Sequence, residues 1–171
     1  MDTWDAIRSR RNVRQFLDQP IPDEDLERIL EAGWRAPSAS NRQHRDFVVV
    51  TGRERLTELS NVWAHGRHVA ESAATVVIVY PRSDDPRAAA LDAFDQGQAA
   101  MQMELAAADL GIGSGHSSVG DQELARRLLG YPEDHAADIM IAFGYPADRP
   151  LRPVAHPNRR PMDEVVHRGR W

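Results

Sequence analysis

Residues 7–16, IRSRRNVRQF, hold four arginines (Arg8, Arg10, Arg11, Arg14) and no acid, in a chain whose formal net charge is −5. Guanidinium groups stay charged and present paired donors, so such a cluster suits an oxygen-rich anion, a phosphate above all. Charge patterning is served equally well by a solvated helix end whose arginines pair with Asp2, Asp5 and Asp18. A second pair, Arg159 and Arg160, stands near the other terminus in NRRPMDE.

Other chemistry-bearing patterns fail on their own terms. GIGSGH follows a helical stretch instead of a strand and has His116 where a dinucleotide fingerprint needs its last glycine. Ser117 has Gly115 two residues before it but Val119 two residues after, which breaks the hydrolase elbow. His65 and His68 could share a helix face, yet no third ligand lies at a recognisable spacing, and both read as surface histidines. The four tryptophans, Trp4, Trp34, Trp63 and Trp171, read as core or interface packing. There is no cysteine, which excludes disulfides and thiolate chemistry. All 21 basic side chains are arginine, so a Schiff-base lysine and a Walker loop are excluded too. The acidic balance argues against a nucleic-acid partner.

The elements that must position these residues follow from periodicity. At 171 residues and 42% hydrophobic content, one domain with a real core is expected. No apolar run approaches the roughly 18 residues of a membrane span, and MDTWDAIRSRR lacks the order of a signal peptide, so a cytoplasmic protein is expected. PDEDLERILEAGWRAPS spaces Leu26, Ile29, Leu30 and Trp34 as a helix with acids in its first turn. DFVVVTG, ATVVIVYP and DIMIAFGYP read as three strands. A single helix is expected over RERLTELSNVWAHGRHVA, a longer one over residues 87–110, and a short one at DQELARRLLG. Prolines 146, 150, 153, 157 and 161 predict an extended C-terminal arm, about residues 146–171, with a short helical tip at MDEVVHR.

Taken in order, IRSRRNVRQF, APSASNRQHRDFVVV, DAFDQGQAAMQMELAAADLGIGSG, GDQELARRLLGYPED, IAFGYPAD and NRRPMDEVVH make this sequence resemble the FMN-dependent nitroreductase family over nearly its whole length. Arg10, Arg11, Asn12, Arg14 and Phe16 match the family's opening motif, and Pro37, Ser38, Asn41 and Gln43 match its second. The resemblance implies an α+β fold, a mainly antiparallel sheet flanked by helices, with a flavin at a homodimer interface. It implies that Arg10, Arg11 and Asn12 at one end, and Arg159 or Arg160 at the other, hold the flavin phosphate. The proline-rich arm would fold back over the cofactor. Arg14 would lie near the pyrimidine edge, where hydride arriving at N5 leaves negative charge that a fixed cation stabilises. Pro37, Ser38, Ser40 and Asn41 would complete the partner's pocket, and Ser117 and Ser118 would be among the cofactor-binding residues.

The implied activity is ping-pong hydride transfer from NADH or NADPH through FMN to a small electrophile such as a nitro compound or quinone. Alternatives on the same scaffold are an FMN-storage protein with little turnover, or deiodinase-like or flavin-fragmenting chemistry. The pattern departs at His44 and Arg45, where the family commonly has Pro and an aromatic, and at Ser118 and Val119, where it often has two glycines. Gly97, Ala99, Ala100, Ala106, Ala107 and Ala108 would allow the long helix to pack closely in a dimer. With only residues 83–86 between the second strand and that helix, the helical excursion covering the pocket of larger members is expected to be missing, leaving an open site.

Overall fold

The computed structural model describes residues 1–171. Four strands, β1 (Asp46–Thr51), β2 (Ala74–Pro81), β3 (Gly113–Ser118) and β4 (His135–Gly144), form one sheet in the order β1-β2-β4-β3, every neighbouring pair antiparallel. The helices are α1 (Thr3–Ser9), α2 (Asp23–Trp34), α3 (Arg53–Ser60), α4 (Arg67–Glu71), α5 (Pro86–Asp109) and α6 (Gln122–Leu129).

The run ATVVIVYP is apolar at nearly every position because helices cover both faces of β2. Val76 and Ile78 join Ile141 and Phe143 of β4 against Ile29 of α2 and Met103 and Ala107 of α5. Val77 and Val79 join Met140 and Ala142 on the opposite face, under Leu56 and Leu59 of α3, Val69 of α4 and Ala125 of α6. Each large aliphatic side chain buried this way contributes about 1.5–3 kcal/mol. Between Ile78 and Val79 the register skips Asp138, a bulge on β4. The Asp138 carboxylate accepts from the Tyr80 hydroxyl, and its carbonyl accepts from the Val119 amide at 3.0 Å.

Strand β3 reads GSGHSS, a sequence with turn composition, and pairing with β4 makes it a strand. Its glycines make room for a crossing segment. A Cβ on Gly113 would meet Val13 Cγ2 at 2.6 Å, and one on Gly115 would collide with the Val13 carbonyl and touch the His68 ring. Residues 10–17 therefore lie against β3, with the Val13 amide donating to the Ser114 carbonyl at 2.8 Å. The same segment meets the start of the C-terminal arm in antiparallel fashion. Leu17 donates to Tyr145, Ala147 to Gln15 and Val154 to Arg8, each backbone to backbone at 2.8–3.0 Å.

The stretch between β1 and β2 is two helices, not the single one its periodicity predicts. A turn at residues 61–66 separates α3 from α4, and a side chain on Gly66 would run into the Ser60 carbonyl. The Val62 carbonyl accepts from both Gly120 and Asp121 at 2.9 Å, tying this turn to the end of β3. Helix α5 matches its predicted span within a residue. Asp85 caps it by accepting from the Arg87 amide at 3.0 Å, and Pro86 occupies its first turn. The helical tip of the arm is a 3₁₀ turn, Met162–Glu164, with every residue from 152 onward exposed.

Candidate functional site

Helix α1 ends at Ser9, and the extended chain that follows alternates between core and surface. Val13 and Phe16 are buried, whereas Asn12 and Arg14 are exposed. The four arginines of this stretch differ in their partners. Arg8 pairs with Asp5 on α1 at 2.6 Å, while Asp2 caps α1 and Asp18 pairs with Arg53. Arg10 donates to the buried Glu104 of α5 at 2.9 Å through one nitrogen. Arg11 donates to the Asp148 carboxylate and the Arg149 carbonyl, both at 2.7 Å, and its buried Nε has no partner. That guanidinium holds the Asp148 carboxyl below the usual carboxylate range. Arg14 alone of the four has no carboxylate.

Arg14 lies against His68. Its Nη1 is 3.2 Å from Nε2 and 3.4 Å from Nδ1 of the ring. The His68 side chain, on α4, points inward and is only 3% exposed, so it is not the surface histidine its spacing suggested. Ser117 Oγ of β3 lies 3.0 Å from His68 Nε2. Burial first, and the Arg14 charge second, lower the His68 pKa below the ordinary histidine value of 6.5. Above this group opens a cleft of about 410 Å³ lined by Arg14, Trp63, His65, His116, Ser117 and Ser118. Trp63 is its one apolar wall and stands edge-on to His65 at 5.9 Å between centroids. His116 Nδ1 is 3.5 Å from Glu104, so the carboxylate that holds Arg10 also backs the cleft.

Residues 36–45 form a second, separate arrangement on α5. Ser40, Asn41 and Gln43 adopt left-handed backbone (φ 52°, 54° and 57°), an uncommon concentration for non-glycine residues. The loop is held by side chains. The Ala39 amide donates to buried Asp95 at 2.9 Å, Arg42 donates to buried Asp92 at 2.7 Å, and His44 Nδ1 is 3.5 Å from that same carboxylate. Ser38 Oγ accepts from the Gln43 amide at 3.0 Å, and Arg45 donates to the carbonyls of Ala36 and Pro37. Pro37 borders a hollow with Phe94, Gly97 and Met101 of α5. Glu104 lies nine positions after Asp95, about 14 Å along the helix axis.

A model of the nitroreductase family matches residues 7–65 and 57–145. The chain belongs to the nitroreductase family. Relatives match over nearly the whole of this chain. A protein of Archaeoglobus fulgidus, provisionally named an NADH dehydrogenase/NAD(P)H nitroreductase, is 32% identical over 96% of each chain. The NADPH-flavin oxidoreductase of Vibrio harveyi is 29% identical over 99% of this chain and 75% of its own. The crystal structure of the V. harveyi NADPH:FMN oxidoreductase complexed with NAD+ superposes with a TM-score of 0.84 at 28% identity, covering 97% of this chain and 76% of that one. The α+β architecture with its antiparallel sheet is the nitroreductase fold. No helix is long and apolar enough to cross a membrane.

Against the residues expected of a nitroreductase site, the fold brings Arg14, Ser117 and Ser118 to one cleft, with Arg10 behind it through Glu104 and His116. The Ser117 hydroxyl is turned to His68, while Ser118 is exposed. Val119 is buried in the core. Pro37, Ser38, Ser40, Asn41 and Gln43 gather at the other end of α5. Arg159 donates to the neighbouring Asn158 carbonyl and Arg160 pairs with Glu164, so neither touches Arg10 or Arg11 within the chain. Of the helix alanines, Ala99, Ala107 and Ala108 are buried inside this chain, whereas Gly97 is exposed. Trp4, Trp34 and Trp171 are exposed, contrary to a core role. Sequence reasoning missed Trp63, His65 and His116 as cleft residues, and His68 and Glu104 as the buried groups behind them. The one signal was departure from helix: Gly66 interrupts the run that carries three of them.

Proposed function

We propose that this chain is an NAD(P)H-dependent flavin oxidoreductase that works as a cytoplasmic homodimer, residues 1–171 acting as one FMN-binding domain with a C-terminal arm from about residue 146. The observation that carries the reading is Arg14: a guanidinium with no carboxylate partner, facing a polar cleft of a size usual for small-molecule sites. The donor set fits FMN. Arg14, Ser118 and the imidazoles suit an acceptor-rich ring edge, and Trp63 supplies a flat apolar wall. Arg10 keeps unengaged donors, and the partnerless Nε of Arg11 lies next to it in the chain, which suits a phosphate together with Asn12.

When bound, FMN would supply the hydride-accepting chemistry that no side chain here provides. The chain's own part is binding and electrostatics. Arg14 holds fixed positive charge where the ring gains negative charge, in a site preorganised by its backing. Arg159 or Arg160 reaches the phosphate from the arm. Residues 37–43 act in trans, and Pro37, Ser38, Ser40, Asn41 and Gln43 complete the other subunit's pocket. What supports the dimer is a stripe on α5 in which exposed Leu91, Phe94 and Met101 alternate with half-buried Gln98 and Leu105 at steps of three and four, the spacing of a helix that packs against another. The acceptor is a small electrophile such as a nitro compound or quinone.

The test is anaerobic stopped-flow mixing of the FMN-loaded protein with NADH and, separately, NADPH. At least one donor bleaches the bound FMN far faster than it bleaches free FMN, and steady-state double-reciprocal lines are parallel. Arg14→Gln slows that bleaching at least tenfold and also weakens FMN binding by about 1.5–3 kcal/mol, the range for one charge-assisted contact. Bleaching at the rate of free FMN with both donors leaves a flavin-storage protein.

A further inference from the structure

The cleft reading gives Arg14 a task but leaves unexplained why a histidine and a serine are buried beneath it. We propose that His68 is the positioning residue for Arg14: a neutral imidazole, fixed by Ser117, on which the guanidinium rests, so that Arg14 keeps its place in the cleft only while His68 is unprotonated. The inference rests on the reading of this cleft as the FMN site.

Geometry carries it. Nη1 of Arg14 is nearly equidistant from the two ring nitrogens, at 3.2 and 3.4 Å, the approach of a cation to a ring face and not of a donor to one lone pair. The hydrogen bond at Nε2 is instead made with Ser117 Oγ at 3.0 Å. Gly115 has no side chain where one would touch the edge of the ring at Cδ2, so β3 is cut away to admit the imidazole. The ring is therefore held by α4, β3 and a serine, and Arg14 is held by the ring.

The groups facing His68 make its charge state consequential. From the N-terminal segment comes the Arg14 cation. From β3 come Ser117 and the Gly115 carbonyl, and from the turn before α4 the His65 carbonyl. On α4 itself Glu71 favours the protonated ring, but it is paired with Arg67 at 3.0 Å. Burial and Arg14 outweigh these and push the His68 pKa down. Below that lowered value an imidazolium would confront a guanidinium at contact distance with no carboxylate between them. The flexible, surface-side arginine is the member that can leave. The neutral platform is intact above the ordinary histidine range and fails as the pH falls through the lowered value.

The first experiment needs no cofactor. Long-range ¹H–¹⁵N spectra of the apo protein follow each imidazole through a pH titration. His68 stays neutral to a pH below the ordinary histidine value of 6.5, and Arg14→Gln raises the His68 midpoint. A His68 whose midpoint lies at or above 6.5, or whose midpoint ignores Arg14→Gln, overturns the proposal. The second measures the FMN dissociation constant against pH. Wild-type affinity weakens on the acid side by up to about tenfold per pH unit, the slope of one proton. His68→Phe keeps a flat face but cannot protonate, and its affinity becomes independent of pH over that range. His68→Gln gives the same reading should the phenylalanine variant melt early. An acid limb that persists in either folded variant overturns the proposal. A protein that takes up no FMN at any pH defeats the flavin reading instead, while the apo titration still decides the contact.

Discussion

The two ends of α5 use the same device for different ends. At one, buried Glu104 holds Arg10 beside a concave, polar cleft. At the other, buried Asp92 holds Arg42 beneath a loop of left-handed residues, next to an exposed apolar stripe. In both, a carboxylate out of reach of water fixes an arginine from a neighbouring segment, and that arginine fixes what surrounds it. The cleft end offers donors and a hollow, whereas the loop end offers a shaped projection. The helix keeps them about 14 Å or more apart within one chain. On the proposed homodimer, each end is half a site, and a second copy brings the complementary half.

The hardest blow to that comparison is a charge in the stripe. Phe94→Glu would place a carboxylate in an apolar contact, at a cost of several kcal/mol. Analytical ultracentrifugation then gives half the wild-type mass, and FMN affinity falls although the Arg14 cleft is untouched. An unchanged mass would leave the loop end without a purpose in trans.

A smaller effect sharpens the contrast between arginines. Arg10→Ala strands a buried carboxylate and lowers stability in urea by about 3 kcal/mol. Arg11→Ala strands the exposed Asp148 and costs under about 1 kcal/mol. Equal losses would mean that the burial of Glu104 is not what distinguishes Arg10.

The smallest effect is a matter of pH. Because Arg11 holds the Asp148 pKa below its ordinary 3.8, the stabilisation is fully present above that value and disappears as pH falls through the lowered one. Wild type therefore exceeds Asp148→Asn in melting temperature by a small margin at pH 6, and calorimetry shows that margin shrinking as the pH falls below 3.8.

The candidate site was only partly legible in the sequence. The opening arginines and the 37–43 segment stand out because their chemistry is uncommon and their spacing local. His68 does not, since a histidine three residues after another carries no mark of burial. Its environment is assembled from residue 14, residue 117 and the gap left by Gly115. Arg42 and His44 likewise look like surface charges until α5 places Asp92 beneath them.

The sequence by itself determined whatever depends on short-range pattern. It determined the strand runs of β1, β2 and β4, the span of α5, and the absence of any lysine or cysteine chemistry. Tertiary structure alone decided that GSGHSS is a strand and that the run from residue 53 breaks at residues 61–66. It also decided which of four arginines is left without a carboxylate. The physical reason is the same in each case. Backbone propensity and periodicity are set by neighbours along the chain, whereas strand pairing, burial and charge compensation are set by residues as far as 137 positions away, which only the packed fold brings together.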